Sequence, residues 1–165
     1  MELEVFRGDI TQMKVEAIVS PEDSNLSMGG GLARKILRVG GIEIFKEAQK
    51  HVPLRVGEAV LTKTGKLPCR YIIHAPTMER PQKVSVKNTK LAMKAVLECA
   101  EKNGLTEVAV PGLGTGTGKV PFGEAAKTMI GVARSFKSKS LKKIIFVAYE
   151  DDFYLELKKN LLKEE

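Results

Sequence analysis

Tryptophan is absent from this 165-residue chain, and Phe and Tyr number only 6 and 3. With so few rings, and no basic-aromatic stripe, an open surface that stacks successive nucleic-acid bases is excluded. Cysteine and histidine are equally scarce, two of each. Cys69 and Cys99 lie far apart in unlike contexts, and no Cys/His/carboxylate group has zinc spacing. Neither a disulfide nor a metal is expected. No apolar run approaches the roughly 20 residues that cross a bilayer, so no membrane partner is expected. The chain opens Met1-Glu2-Leu3-Glu4, which is acidic and strand-like and unlike a signal peptide. Reduced, buried thiols and a cytoplasmic setting follow as expectations.

The hydrophobic fraction of 43% and charged fraction of 28% are those of a globular protein. The length suits one domain, residues 1–165, large enough for a proper core. The formal net charge is +7, with lysines crowding the C-terminal third, among them Lys127, Lys137, Lys139, Lys142 and Lys143. Such lysines form either a solvated surface or a field that attracts polyanions. Abundant Lys and Glu with little Asn, Gln and Cys point to a thermophilic source. A monomer is expected.

Strands are expected at Leu3–Phe6, Ala17–Val19 (stopped by Pro21), Ala59–Thr62, Tyr71–His74, Val108–Val110 and Lys143–Tyr149. Helices are expected at Gly31–Val39, Ile42–His51, Ser85–Lys102, Phe122–Phe136 and Phe153–Leu162. Strand and helix alternate, which predicts a three-layer α/β/α sandwich on a mixed, mostly parallel sheet. His74 at a strand end and His51 at a helix end read as structural.

Two glycine-rich stretches carry the chemistry: Met28-Gly29-Gly30-Gly31, and Gly112-Leu113-Gly114-Thr115-Gly116-Thr117-Gly118-Lys119. Each follows an apolar strand and leads toward a helix. Glycine lets backbone N–H groups turn to an anion, and a helix N-terminus adds positive potential. Two such loops on one crevice predict a ligand with adjoining phosphates. A P-loop is excluded, because its first glycine would fall on Leu113 and Val120 follows Lys119. A dinucleotide fingerprint is excluded too, because its third glycine would fall on Thr117 or Lys119.

Four motifs in order resemble the macro domain, the module that binds ADP-ribose. They are Gly8-Asp9-Ile10-Thr11; the run from Ser20 through Asp23 and Met28-Gly29-Gly30-Gly31 to Leu32-Ala33; Tyr71-Ile72-Ile73-His74-Ala75-Pro76; and Val110-Pro111 with its glycine loop. The resemblance covers nearly the whole chain and implies roles. Asp9 would accept from the adenine amino group, as an acceptor-only carboxylate can, and the Ile10 N–H would meet a ring nitrogen. Tyr149 would stack on the adenine, with Phe153 as the fallback. Ser20 and Gly29–Gly31 with Leu32 would line one side of the pyrophosphate and distal ribose. Gly114, Thr115, Gly116, Thr117, Gly118 and Lys119 would line the other. Taken alone, Asp9 also reads as a turn cap and Tyr149 as a rim residue. No cofactor is implied. The partner is ADP-ribose or an ADP-ribosylated protein; a nucleic-acid end is the alternative.

Three positions depart from the family pattern. The family's Asn-Ala-Ala-Asn loop is Ser20-Pro21-Glu22-Asp23 here. The Asp that follows the glycine run in the hydrolytic branch is Ala33, and the aromatic of the second loop falls near Gly118. Two outcomes stay open: binding without efficient turnover, or hydrolysis of an ADP-ribosyl ester or ADP-ribose phosphate in a rearranged site. In the second, Asp23 would be the catalytic base or water-orienting group, with Lys119 offsetting phosphate charge. Asp23 otherwise reads as an Asx-turn residue and Lys119 as a solvated loop lysine.

Overall fold

A computed structural model describes residues 1–79, 84–116 and 119–163. Among the described residues, six strands and five α-helices follow in the order β1 (Glu2–Arg7), β2 (Ala17–Asp23), α1 (Gly31–Gly40), α2 (Ile42–Ala48), β3 (Val60–Thr62), β4 (Tyr71–Met78), α3 (Val86–Lys102), β5 (Glu107–Val110), α4 (Phe122–Ser135), β6 (Lys143–Ala148) and α5 (Asp151–Leu162). The sheet order is β1-β6-β5-β2-β4-β3. Every pairing is parallel except β3 with β4.

Period-two alternation sends side chains to both faces, and on the central strands β6, β5, β2 and β4 both faces are largely buried, as a mostly parallel sheet requires. Val19, Ile73, Val110 and Phe146 pack with α3, α4 and α5. Ile18, Ile72, Ala109 and Ile145 pack with Ala33 and Ile36 of α1 and Ile44 of α2. The result is the expected three-layer sandwich. Cys99 belongs to the first core and Cys69 to the second, so the sheet separates the two free thiols. Burial pushes the Cys69 thiol up to about 11.

Two strands run further than expected. β2 continues through Pro21 to Asp23, and β4 through Pro76 to Met78. Neither proline breaks a ladder, because each lies where one neighbour has already ended. β5 pairs with β2 only at Ala17 and Ile18, and β3 pairs with β4 only as far as His74. Proline is tolerated on such an open side. The expected Ile42–His51 helix is an α-helix to Ala48 followed by a 3-10 turn at Gln49–His51. α5 starts two residues earlier than expected, placing Asp151 and Asp152 in its first turn, where negative charge favours the helix dipole.

β2 and β5 are neighbours whose connections leave in opposite directions, β2 toward α1 on one face and β5 toward α4 on the other. Their carboxyl ends diverge after Ile18 and Ala109. A crevice opens at that switch point, where open α/β sheets take their ligands. The C-terminal lysines Lys127, Lys137, Lys139 and Lys142 are exposed, while Lys143 is half-buried and paired with Glu4 at 2.7 Å. Among the described residues, no helix is long and apolar enough to cross a membrane.

Candidate functional site

The crevice is a cleft of about 610 Å³. Both glycine loops line it, with Met28, Gly29, Gly30 and Gly31 on one wall and Gly112, Gly114, Thr115 and Gly116 on the other. The first loop is shaped by a left-handed Met28 (φ 52°) and Gly31 (φ 56°), and Gly30 caps α1 with extended backbone. A Cβ on Gly30 would meet no atom within 4 Å, so packing does not require glycine there. The second loop is different. Gly114 has φ 88°, and a Cβ on it would lie 2.8 Å from Val84 Cγ1 and 3.0 Å from Thr89 Oγ1. Thr89 Oγ1 donates to Leu113 O at 2.8 Å and Val120 N to Gly114 O at 2.8 Å, which pins the turn. Thr117 and Gly118 lie outside the described residues. Lys119, left-handed at φ 57°, is exposed and does not line the cleft.

At one end sit Asp9, Ile10, Lys35 and Tyr149. Asp9 caps the short 3-10 turn Ile10–Gln12: its Oδ1 accepts from Thr11 N at 2.9 Å and Thr11 Oγ1 at 2.7 Å. Its Oδ2 takes the Lys35 ammonium at 2.8 Å. Burial raises this carboxyl, but the Lys35 and Thr11 hydrogen bonds outweigh it, and the net pKa lies below the usual aspartate value. Tyr149 follows β6 and is 70% exposed, with the Lys35 ammonium 5.2 Å from its ring centroid. Phe153 lines the cleft but is buried and packs on the Phe122 ring, centroids 5.2 Å apart. Of the two aromatics, only Tyr149 has ring surface to offer.

At the other end, past the carboxyl ends of β2 and β4, lie Pro21, Asp23, Thr77 and Met78. The Asp23 carboxylate organises the β2–α1 connection: Oδ1 accepts from Asn25 N at 2.9 Å and Ser27 N at 3.4 Å, and Oδ2 from Ser27 Oγ at 2.5 Å. It is the Asx turn and a cleft-lining group at once. Ala33 also lines the cleft, and its methyl supplies no acceptor. Ser20 is fully buried below the lining, and its Oγ has no hydrogen-bond partner among the described residues.

Two features escaped sequence reasoning. One is Lys35, which a count of one turn from Gly31 would have placed on the cleft. The other is a buried chain behind the first loop. His74 Nδ1 meets Glu22 Oε2, and His74 Nε2 lies 2.8 Å from Thr62 Oγ1. The Thr62 hydroxyl also donates to Lys63 O at 3.0 Å. The Glu22 and His74 side chains are fully buried. The signal was available as two ionisable residues, Glu22 and His74, at the ends of the apolar runs Ala17–Val19 and Tyr71–Ile73. His74 is structural, as expected, and His51 is exposed at the end of its 3-10 turn.

The Macro domain profile matches residues 19–129. The chain belongs to the macro domain family. An uncharacterised Aquifex aeolicus protein is 44% identical over 153 residues, covering 92% of this chain and 93% of that one. One from Aeropyrum pernix is 39% identical over 160 residues, covering 96% and 85%. Among solved structures, the Trypanosoma brucei macrodomain in complex with ADP-ribose superposes with a TM-score of 0.88 at 26% identity, covering 97% of this chain and 69% of that one. The Oceanobacillus iheyensis macrodomain with ADP gives 0.87 at 25%, covering 96% and 89%. In this macro domain the cleft is lined by both glycine loops, by Asp9 and Tyr149, and by Asp23 and Ala33.

Proposed function

We propose that residues 1–165 act as one macro domain that binds ADP-ribose, free or attached to protein, without efficient turnover. The observation that carries this reading is the convergence of two glycine walls on one cleft of about 610 Å³, with Asp9 and Tyr149 at one end. Backbone N–H groups of Gly29–Gly31 and Gly114–Gly116 meet the pyrophosphate. Asp9 and the Ile10 N–H read the adenine, Tyr149 stacks on it, and the distal ribose lies toward Asp23. ADP-ribose bound by the Trypanosoma brucei relative supports the same ligand class here.

Binding is favoured over hydrolysis because both Asp23 oxygens are already engaged by Ser27 and Asn25, and Ala33 offers no carboxylate. A hydrolytic role for Asp23 on ADP-ribosyl esters or ADP-ribose 1''-phosphate is the second reading, supported by its place at the cleft end away from Asp9. Incubation with an ADP-ribosylated protein separates the two: negligible release of ADP-ribose supports the first, and release abolished by Asp23→Ala supports the second. Two free thiols suit a reducing, cytoplasmic compartment.

Calorimetric titration with ADP-ribose beside AMP and ATP tests the ligand. Tightest binding of ADP-ribose, with weak dependence on salt, is expected. Equal or weaker binding of ADP-ribose, falling steeply with salt, would favour a nucleic-acid end instead.

A further inference from the structure

Lys35 gives the base end of the cleft a feature that an acceptor alone would lack. Asp9 spends Oδ1 on the two Thr11 donors. Its other oxygen, Oδ2, is shared with the Lys35 ammonium at 2.8 Å. The same ammonium lies 5.2 Å from the Tyr149 ring centroid. Lys35 and Asp9 are each about a third exposed, at 31% and 30%, so a ligand can reach both. The base end therefore presents a donor and an acceptor side by side.

That pairing bears on the purine 6-position. A lone carboxylate accepts only, so it selects the adenine amine and repels a 6-oxo group. With an ammonium at its side the repulsion is removed. The oxo oxygen accepts from Lys35 while the purine N1–H, which cannot accept from the Ile10 N–H, turns away from it and donates to Asp9 Oδ2. An adenine amine instead donates to the same oxygen.

We infer that Lys35 makes this cleft tolerant of 6-oxopurines, so that inosine and guanosine diphosphates and their ribose adducts bind alongside the adenine ligands. This rests on the ADP-ribose reading above. Inosine diphosphate is the cleanest probe, because it differs from ADP only by an oxo group and N1–H in place of the amine.

The test is calorimetric titration of the full chain with ADP and inosine diphosphate, for wild type, Lys35→Met and Lys35→Arg. The wild-type Kd ratio is expected to stay below about tenfold, and Lys35→Met to widen it by about tenfold or more, chiefly by losing the 6-oxo ligand. Lys35→Arg, which keeps the cation, should retain the wild-type ratio. A Lys35→Met ratio equal to wild type overturns the inference, as does a wild type that already rejects inosine diphosphate by more than tenfold while binding ADP. Those results leave the ADP-ribose reading standing. Failure of wild type to bind either ADP or ADP-ribose overturns both. Circular dichroism checks folding, and Lys35→Ala repeats the comparison should the methionine variant unfold.

Discussion

Glu22 shows how much one buried side chain can hold. Its carboxylate meets His74 across the β2–β4 ladder, and His74 in turn reaches Thr62 on β3. Three strands are tied by polar contacts in a layer that excludes water. Removing one member of a buried pair leaves the other desolvated, at a cost of about 3–5 kcal/mol. Glu22→Ala should therefore lower the melting temperature by about 10 °C in differential scanning calorimetry. A shift under about 2 °C would mean that the pair contributes little. Asp23, the next residue, points to the opposite task. It folds the loop that carries the first glycines, and it faces the cleft as it does so.

The two glycine walls differ in what glycine is for, and substitution should separate them. Gly114→Ala forces a side chain into a left-handed backbone beside Val84 and Thr89, so stability should fall by about 1–3 kcal/mol. Gly30→Ala has room and an ordinary backbone, so stability should stay within about 0.5 kcal/mol. Yet, on the proposed binding reading, Gly30→Ala should weaken ADP-ribose by about tenfold, because Gly30 lines the cleft. Equal ADP-ribose affinities for Gly30→Ala and wild type would remove the first loop from the phosphate site. The strands were legible from apolar runs, and the glycine loops from composition. Their lengths were not, because a proline stops a strand only where a neighbour would need its N–H. Pro21 and Pro76 lie past the ends of β5 and β3, and only the sheet order reveals that. Lys35 was missed for a related reason: its target, Asp9, is 26 residues away in sequence.

A contact between elements bears on acid stability. Glu101, at the end of α3, accepts from Lys139 N, Ser140 N and Ser140 Oγ in the α4–β6 connection. The Ser140 hydroxyl, then the Ser140 and Lys139 amides, hold its carboxyl down to about 2 from an ordinary 4.5. A depressed folded value stabilises above the unfolded value and is lost as pH falls through the folded one. Glu101→Gln should thus melt lower than wild type at neutral pH. The gap should close between pH 4.5 and about 2. A gap that stays constant across that window would contradict the assignment.

Across the whole molecule, the site exists because the chain changes direction between β2 and β5. Each strand delivers one glycine wall, and β1 and β6 deliver Asp9 and Tyr149 beside them. The two walls, Asp9 and Tyr149 come from four separate stretches of sequence; the parallel sheet aligns the strand ends that carry them. The sequence motifs announced the family, while the donor at Lys35 and the braced Glu22 required the folded chain. The most direct test is calorimetric titration of wild type and Asp9→Ala with ADP-ribose. Loss of at least about tenfold in affinity, or about 1.4 kcal/mol, is predicted for the variant. Unchanged affinity would contradict the placement of the base at Asp9 and, with it, the orientation of the ligand along the cleft.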